Sequence, residues 1–155
     1  MDDRLFRDAM GKFATGITIV TTDYNEEIIG MTVNAFMSIS LEPKLIAISI
    51  DESASMYDKL QETSKFGVSI LKEEQKDISM IFAKQIEKDR EINYLRQDDI
   101  PVIEDSLVTI SCHVKEMVKA GDHLIFIAEV SDIAINEGEP LIYAGSNYRS
   151  LKSVE

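Results

Sequence analysis

Apolar and polar positions alternate along this chain with two different periods, and the period marks the elements. From Asp3 to Lys12 the apolar residues Leu5, Phe6, Ala9 and Met10, followed by Phe13, recur at helical spacing, with Asp2 and Asp3 at the positive end of the helix dipole. A short amphipathic helix is expected there, ended by Gly16. Ile17 to Thr22 then alternates as a strand, Asp23 to Glu27 reads as a polar turn, and Ile28 to Thr32 returns as the second arm of a hairpin. Phe36 to Ile50 supplies two further strand-like runs. They break at Glu42-Pro43, because proline lacks the amide hydrogen that a central ladder needs.

Ser55 and Asp58 match the Ser-x-x-Asp start signal, which predicts a helix over Met56 to Glu62. Phe66 to Leu71 reads as a strand, and Gln75 to Ala83, with Ile78, Ile81 and Phe82 on one side, as a helix. Lys84 to Asp99 is highly charged and reads as a surface connection or irregular helix. The last third is β again: Ser106 to Val118, a turn over Lys119 to Asp122, His123 to Ile135, a turn at Asn136 to Gly138, and a short run at Leu141 to Tyr143. Six or seven strands and three helices result, and most strands follow one another too closely for a helix to cross between them. The expected fold is mainly β, a closed antiparallel barrel with peripheral α-helices, in a single domain over residues 1–155.

Within this pattern the stretch from Gly30 to Ile50 carries more small polar groups than a core strand needs. Thr32 and Asn34 should share one face, and Ser38 and Ser40 likewise. Such groups are either solvated on an outer face or aimed at a polar ligand, and the local pattern alone favours the half-exposed strand. The helix start near Ser53 and Ser55 offers hydroxyls and free amides that suit an anion, though the local pattern alone favours a plain capped helix.

Charge narrows the partners. With 28 acidic against 16 basic residues the chain carries −12, which repels phosphate backbones and anionic membrane surfaces. Neither nucleic acid nor membrane is an expected partner. No apolar run of about 18 residues and no basic, apolar leader is visible, so the expected location is cytoplasmic. The one cysteine, Cys112, lies in an apolar alternation and reads as a buried, inert thiol.

The candidate chemistry is sparse. His113 and His123 stand ten apart without a cysteine or carboxylate cluster at ligand spacing, so no metal site is expected. No Gly-x-Ser-x-Gly elbow, Walker loop or Gly-x-Gly-x-x-Gly fingerprint occurs. His123 follows Gly121-Asp122 at a turn, where an imidazole can stand at a pocket rim or simply be solvated. Were the ligand a phosphorylated aromatic cofactor, its phosphate would need amides and hydroxyls, which the Ser53/Ser55 helix start offers. Its ring would need apolar walls with a polar edge, which Gly30–Ile50 offers.

The motifs Phe6-Arg7-Asp8-Ala9-Met10-Gly11-Lys12-Phe13-Ala14-Thr15-Gly16, Gly30-Met31-Thr32-Val33-Asn34-Ala35-Phe36, Ser38-Ile39-Ser40-Leu41-Glu42-Pro43, Gly121-Asp122-His123 and Pro140-Leu141-Ile142-Tyr143 occur in order over nearly the whole chain. With them the chain resembles the flavin reductase-like family, small proteins with an FMN-binding split barrel that supply reduced flavin to two-component monooxygenases. The resemblance implies a homodimeric, Greek-key type split barrel that binds FMN, or FAD, and passes a hydride to it from NADH or NADPH. By motif position it implies flavin contacts from Thr32, Asn34, Ala35, Ser38 and Ser40. Ser49, Ile50, Ser53 and Ser55 would continue the site toward the ribityl-phosphate, and Tyr148 would cover the ring. His123 would stand near the flavin ring and nicotinamide as the catalytic residue, in a positioning or electrostatic role. Met37 stands where the family often has a hydroxyl residue, Ala128 where it usually has glycine, and Ser146 occupies a usual glycine position near Tyr148.

Three functions remain open at this point. The first is an NAD(P)H:flavin oxidoreductase serving a flavin-dependent monooxygenase or another acceptor. The second is a flavin-binding electron carrier reduced by a protein partner, and the third a barrel without flavin that uses its acidic surface for protein contacts.

Overall fold

The computed structural model describes residues 1–155. Helix α1 (Asp3–Gly11) starts where the Asp2 carboxylate accepts a hydrogen bond from the Arg4 amide at 3.0 Å. The chain then forms β1 (Thr15–Gly16), β2 (Thr18–Tyr24) and β3 (Glu27–Val33). β2 and β3 are joined by Asn25-Glu26, both at positive φ, as a tight two-residue hairpin requires. Next come β4 (Phe36–Ser40), β5 (Leu45–Asp51), α2 (Met56–Thr63), β6 (Lys65–Ile70), a 3₁₀ turn over Glu73–Gln75 and α3 (Lys76–Phe82). The remainder is β7 (Tyr94–Gln97), β8 (Ile100–Ile103), β9 (Val108–Ala120), β10 (His123–Ile135), β11 (Ile142–Ala144) and β12 (Asn147–Arg149).

Seven of these strands form one antiparallel sheet in the order β3-β2-β6-β9-β10-β5-β4, and small sheets β1-β11-β12 and β7-β8 flank it. The two edge strands are consecutive in sequence and separated only by Asn34 and Ala35. Two intervening residues span at most about 11 Å between the flanking Cα atoms. Laid flat, the same edges would be about 29 Å apart at the usual strand spacing. The sheet must therefore curl until the end of β3 meets the start of β4. Inside the curl lies the main core, built around Val20, Ile48, Leu60, Phe66, Val68 and Phe126. A second cluster, with Ile19, Leu71, Ile103 and Leu141, packs the α3 side.

Most expected elements are present within a residue or two, and the differences have local causes. The charged connection after α3 contains the β7/β8 hairpin, turned by Asp98-Asp99 at positive φ, and its Ile92 is 8% exposed. Its few apolar residues meet the body of the protein one at a time, so no periodic stripe announces them. α1 ends at Lys12 rather than at Gly16, which instead pairs with Ile142 in a short ladder. Ser55 stands at the start of α2 but makes no side-chain cap, because its backbone is already helical there.

Gly67 marks the tightest approach in the sheet. A Cβ at this position would collide with the Pro101 carbonyl oxygen and lie 2.7 Å from Val102 Cγ1. The same carbonyl already accepts a 2.5 Å hydrogen bond from the Thr21 hydroxyl, so it cannot move freely. Gly67→Ala should therefore destabilise the fold by about 3 kcal/mol, visible as a lowered midpoint in denaturant unfolding; an unchanged midpoint would contradict the close packing.

Candidate functional site

The register of β4, β5 and β10 sorts their side chains into two faces. Met37 lies opposite Ala47, and Ser49 opposite Ile125, so these four share the outward face of the sheet. The alternating Ile46, Ile48, Ile50 and Phe126 point into the core. Over the outward face stands the segment after α1, and between them is a cavity of about 720 Å³. Met10, Gly11, Phe13 and Thr15 form one wall; Ala35, Met37, Ser38, Ala47, Ser49 and Ile125 form the other. Asn34, Phe36, Tyr143 and Ser146 complete it. The Ser49 amide donates to the Ala35 carbonyl at 3.1 Å, which holds the link between the sheet edges against β5.

A smaller pocket of about 170 Å³ adjoins it and shares Asn34 and Tyr143. Its polar groups are tied together. The Thr32 hydroxyl donates to the Ser79 carbonyl at 2.7 Å, and the Ser79 and Tyr148 hydroxyls are 3.0 Å apart. The Tyr148 ring meets Tyr143 edge-on at 5.3 Å, with the Lys76 ammonium 5.3 Å above it. These contacts join β3, α3 and the β11-β12 hairpin into one rim.

His123 begins β10 opposite Asp51, on the face of Ser49 and Ile125 but two residues further along, roughly 7 Å from Ile125 along the strand. It does not line the main cavity; it opens instead to a groove with Asp2, Asp3 and Arg7 at the start of α1. Its Nδ1 lies 2.8 Å from Asp122 Oδ1. The Asp51 carboxylate accepts from both the amide and the hydroxyl of Ser53 at 2.8 Å, and the amide first, then the hydroxyl, hold its carboxyl below the usual carboxylate range. Donor atoms of Asp51, Asp122 and His123 fall within 4.8 Å of one another, a grouping that spacing along the chain does not reveal.

The structure thus brings Asn34, Ala35, Ser38 and Ser49 to the large cavity, and Thr32 and Tyr148 to the small one. Other expected site residues lie elsewhere. Ser40 follows a register shift at the end of β4, outside the cavity wall. Ile50 is 1% exposed and belongs to the core, so only its backbone is available to a ligand. Ser53 gives its hydroxyl to Asp51, and Ser55 is exposed at the α2 start. Sequence reasoning missed Phe13, Thr15 and Tyr143 as cavity residues. The signal was there in α1, whose apolar stripe finds no partner within the chain: none of its residues is buried. Cys112 is fully buried, with its thiol pushed well up by burial, as expected of an inert side chain.

This fold is shared with solved flavin reductases. The model of the flavin reductase like domain matches residues 10–152, and the chain belongs to that family. An NADH-dependent flavin reductase of Rhodococcus sp. is 36% identical over 149 residues, covering 94% of this chain and 85% of that one. The solved structure of flavin reductase PheA2 in its native state shares 51% identity and a TM-score of 0.96 over 99% of this chain and 100% of the other. The styrene monooxygenase flavin reductase from Pseudomonas putida S12 shares 35% identity and a TM-score of 0.89, over 96% of this chain and 97% of that one.

A prediction concerns the carboxylate facing His123. Because the folded pKa of Asp51 lies below its unfolded value, the Ser53 bonds stabilise the fold at neutral pH and cease to do so as pH falls through the folded pKa. Ser53→Ala should shift the Asp51 titration upward toward the ordinary range, as read by carboxyl NMR. A titration identical to the wild type would refute that role for the Ser53 hydroxyl.

Proposed function

We propose that this chain is an NADH:flavin oxidoreductase of the two-component type, supplying reduced flavin to a partner oxygenase, and that the 720 Å³ cavity is its flavin site. The observation that carries this is the composition of that cavity: Met10, Phe13, Phe36, Met37 and Ile125 form apolar walls, and Asn34, Ser38 and Ser49 stand at its edge. Its volume lies within the range of cofactor sites, and its residues fit a planar ring with a hydrogen-bonding margin. When bound, flavin accepts a hydride from the nicotinamide, and that chemistry belongs to the two cofactors. FMN is the preferred assignment, with FAD as the alternative that the same cavity admits.

The residues of the chain position and shield. Met37 and Ile125 present an apolar floor from β4 and β10, while Phe13 and Tyr143 stand above it and exclude water. Asn34 lies between the large and small pockets, where its amide can fix a ring edge in register with a second ring. His123 lies between the carboxylates of Asp122 and Asp51 at the end of the same face. In that place it orients the nicotinamide.

The same reading covers the assembly. The edge-to-edge link at Asn34-Ala35 fits a split barrel of Greek-key type in one domain. The exposed apolar side chains of α1, Leu5 at 63% and Phe6 at 54%, fit a face covered by a second copy in a homodimer. No helix is long and apolar enough to cross a membrane, and a cytoplasmic location is part of the proposal.

Purified protein should oxidise NADH only when FMN or FAD is present; no flavin-dependent rate would overturn the reading, and a yellow protein that NADH cannot bleach would favour an electron carrier. His123→Ala should slow hydride transfer about 100-fold with little change in flavin affinity, whereas Asn34→Ala should weaken flavin binding about tenfold. Single-turnover kinetics and flavin titration separate the two roles, and the reverse pattern would refute them. The double substitution Leu5→Asp and Phe6→Asp should turn a dimer into a monomer in sedimentation velocity; an unchanged dimer would place the interface elsewhere.

A further inference from the structure

Of all the buried side-chain nitrogen and oxygen atoms in the protein, only Thr15 Oγ1 has no hydrogen-bond partner. Every other buried hydroxyl is engaged: Thr18 donates to the Val33 carbonyl, Thr21 to that of Pro101 and Thr22 to that of Lys65. A buried polar atom without a partner carries the full cost of its lost hydration. Such an atom at a ligand cavity needs an explanation.

Its place in the fold supplies one. Thr15 pairs directly with Tyr143 across the β1-β11 ladder, so the two side chains share a face, and both line the 720 Å³ cavity. Thr15 and Asn34 also line a neighbouring, smaller pocket that shares Phe13, which sets Thr15 on the boundary between the two spaces. The residue as a whole is half-buried while its oxygen is covered, so the oxygen is turned into the wall. Rotation about the Cα–Cβ bond between staggered positions exchanges hydroxyl and methyl without moving the backbone.

We propose that Thr15 is a flavin-binding residue whose hydroxyl turns into the cavity and hydrogen-bonds a heteroatom of the flavin ring, opposite the wall that carries Asn34, Ser38 and Ser49. This rests on the functional reading above and extends it to the N-terminal wall, where that reading placed only apolar groups. A hydroxyl satisfied by the ligand alone makes the empty protein hold an unpaired polar atom, and binding relieves it. Flavin affinity and the stability of the empty protein then depend on Thr15 in opposite senses.

The test uses Thr15→Val, which keeps the shape and removes the oxygen, and Thr15→Ser, which keeps the oxygen and removes the methyl. Flavin dissociation constants come from titration with FMN and with FAD, and stability from thermal unfolding of flavin-free protein. Thr15→Val should bind flavin about tenfold more weakly, equivalent to about 1.4 kcal/mol, while the flavin-free variant unfolds at the wild-type temperature or above it. Thr15→Ser should bind within about threefold of wild type. Wild-type protein that binds neither flavin overturns the functional reading and this assignment with it. Wild-type binding together with an unchanged dissociation constant for Thr15→Val, or a Thr15→Val protein that unfolds several degrees lower when flavin-free, overturns the assignment of Thr15 alone.

Discussion

The structure turns on a connection of two residues. Asn34 and Ala35 join β3 to β4, and those strands are the opposite edges of a seven-stranded sheet. Chain length permits that only if the sheet curls on itself. The curl produces an inside for the core around Phe66 and Phe126 and an outside on which β4, β5 and β10 expose one face of their alternation. The same two residues lie at the seam, exposed and outside the core, where the two pockets meet. Asn34 lines both pockets for this reason.

Alternation then decides which side chains reach the site. Ala47 and Ser49 face outward because Ile46, Ile48 and Ile50 face inward, and Met37 and Ile125 follow through direct cross-strand pairing. The pattern also limits the site. Ile50 cannot serve two faces, and its burial at 1% assigns it to the core. Ser40 falls past the register shift after Ser38, where the period of two is interrupted. The two serines that look equivalent in sequence are therefore in different surroundings.

This division explains what could be read from the sequence. Thr18 to Tyr24, buried along five successive residues, and His123 to Ile135, whose burial alternates over its first half, were legible because local β-type sequence and tertiary position agree. The β7/β8 hairpin was not, since its turn is made of Asp98-Asp99 and the apolar residues in and before it, such as Tyr94, Ile103 and Ile92, join a cluster built from distant segments. Thr32, Asn34, Ala35, Ser38 and Ser49 could be placed by motif because they sit on or beside the strands that build the curl. Phe13, Thr15 and Tyr143 could not, because two segments far apart in the sequence bring them together through the β1-β11 ladder, and no local pattern encodes that pairing.

The two halves of the cavity differ in how firmly they are held. One half is the sheet, fixed by ladders on both sides of β5 and β10. The other half is α1 with its following segment and the small sheet of β1, β11 and β12. No residue of α1 is buried, and Gly145 reaches that segment by donating one backbone hydrogen bond, 2.8 Å, to the Gly11 carbonyl. A wall with so little packing within its own chain gains order from whatever covers it. The apolar stripe of α1 and the cavity beneath Phe13 are thus parts of one problem. On the proposed reading, a second copy covering the helix would also fix the roof of the cavity, and a ring bound beneath that roof would give the segment from Met10 to Thr15 contacts that the chain alone does not supply. Assembly and ligand binding would then act on the same weak half of the structure, the one not held by the ladders of the curled sheet.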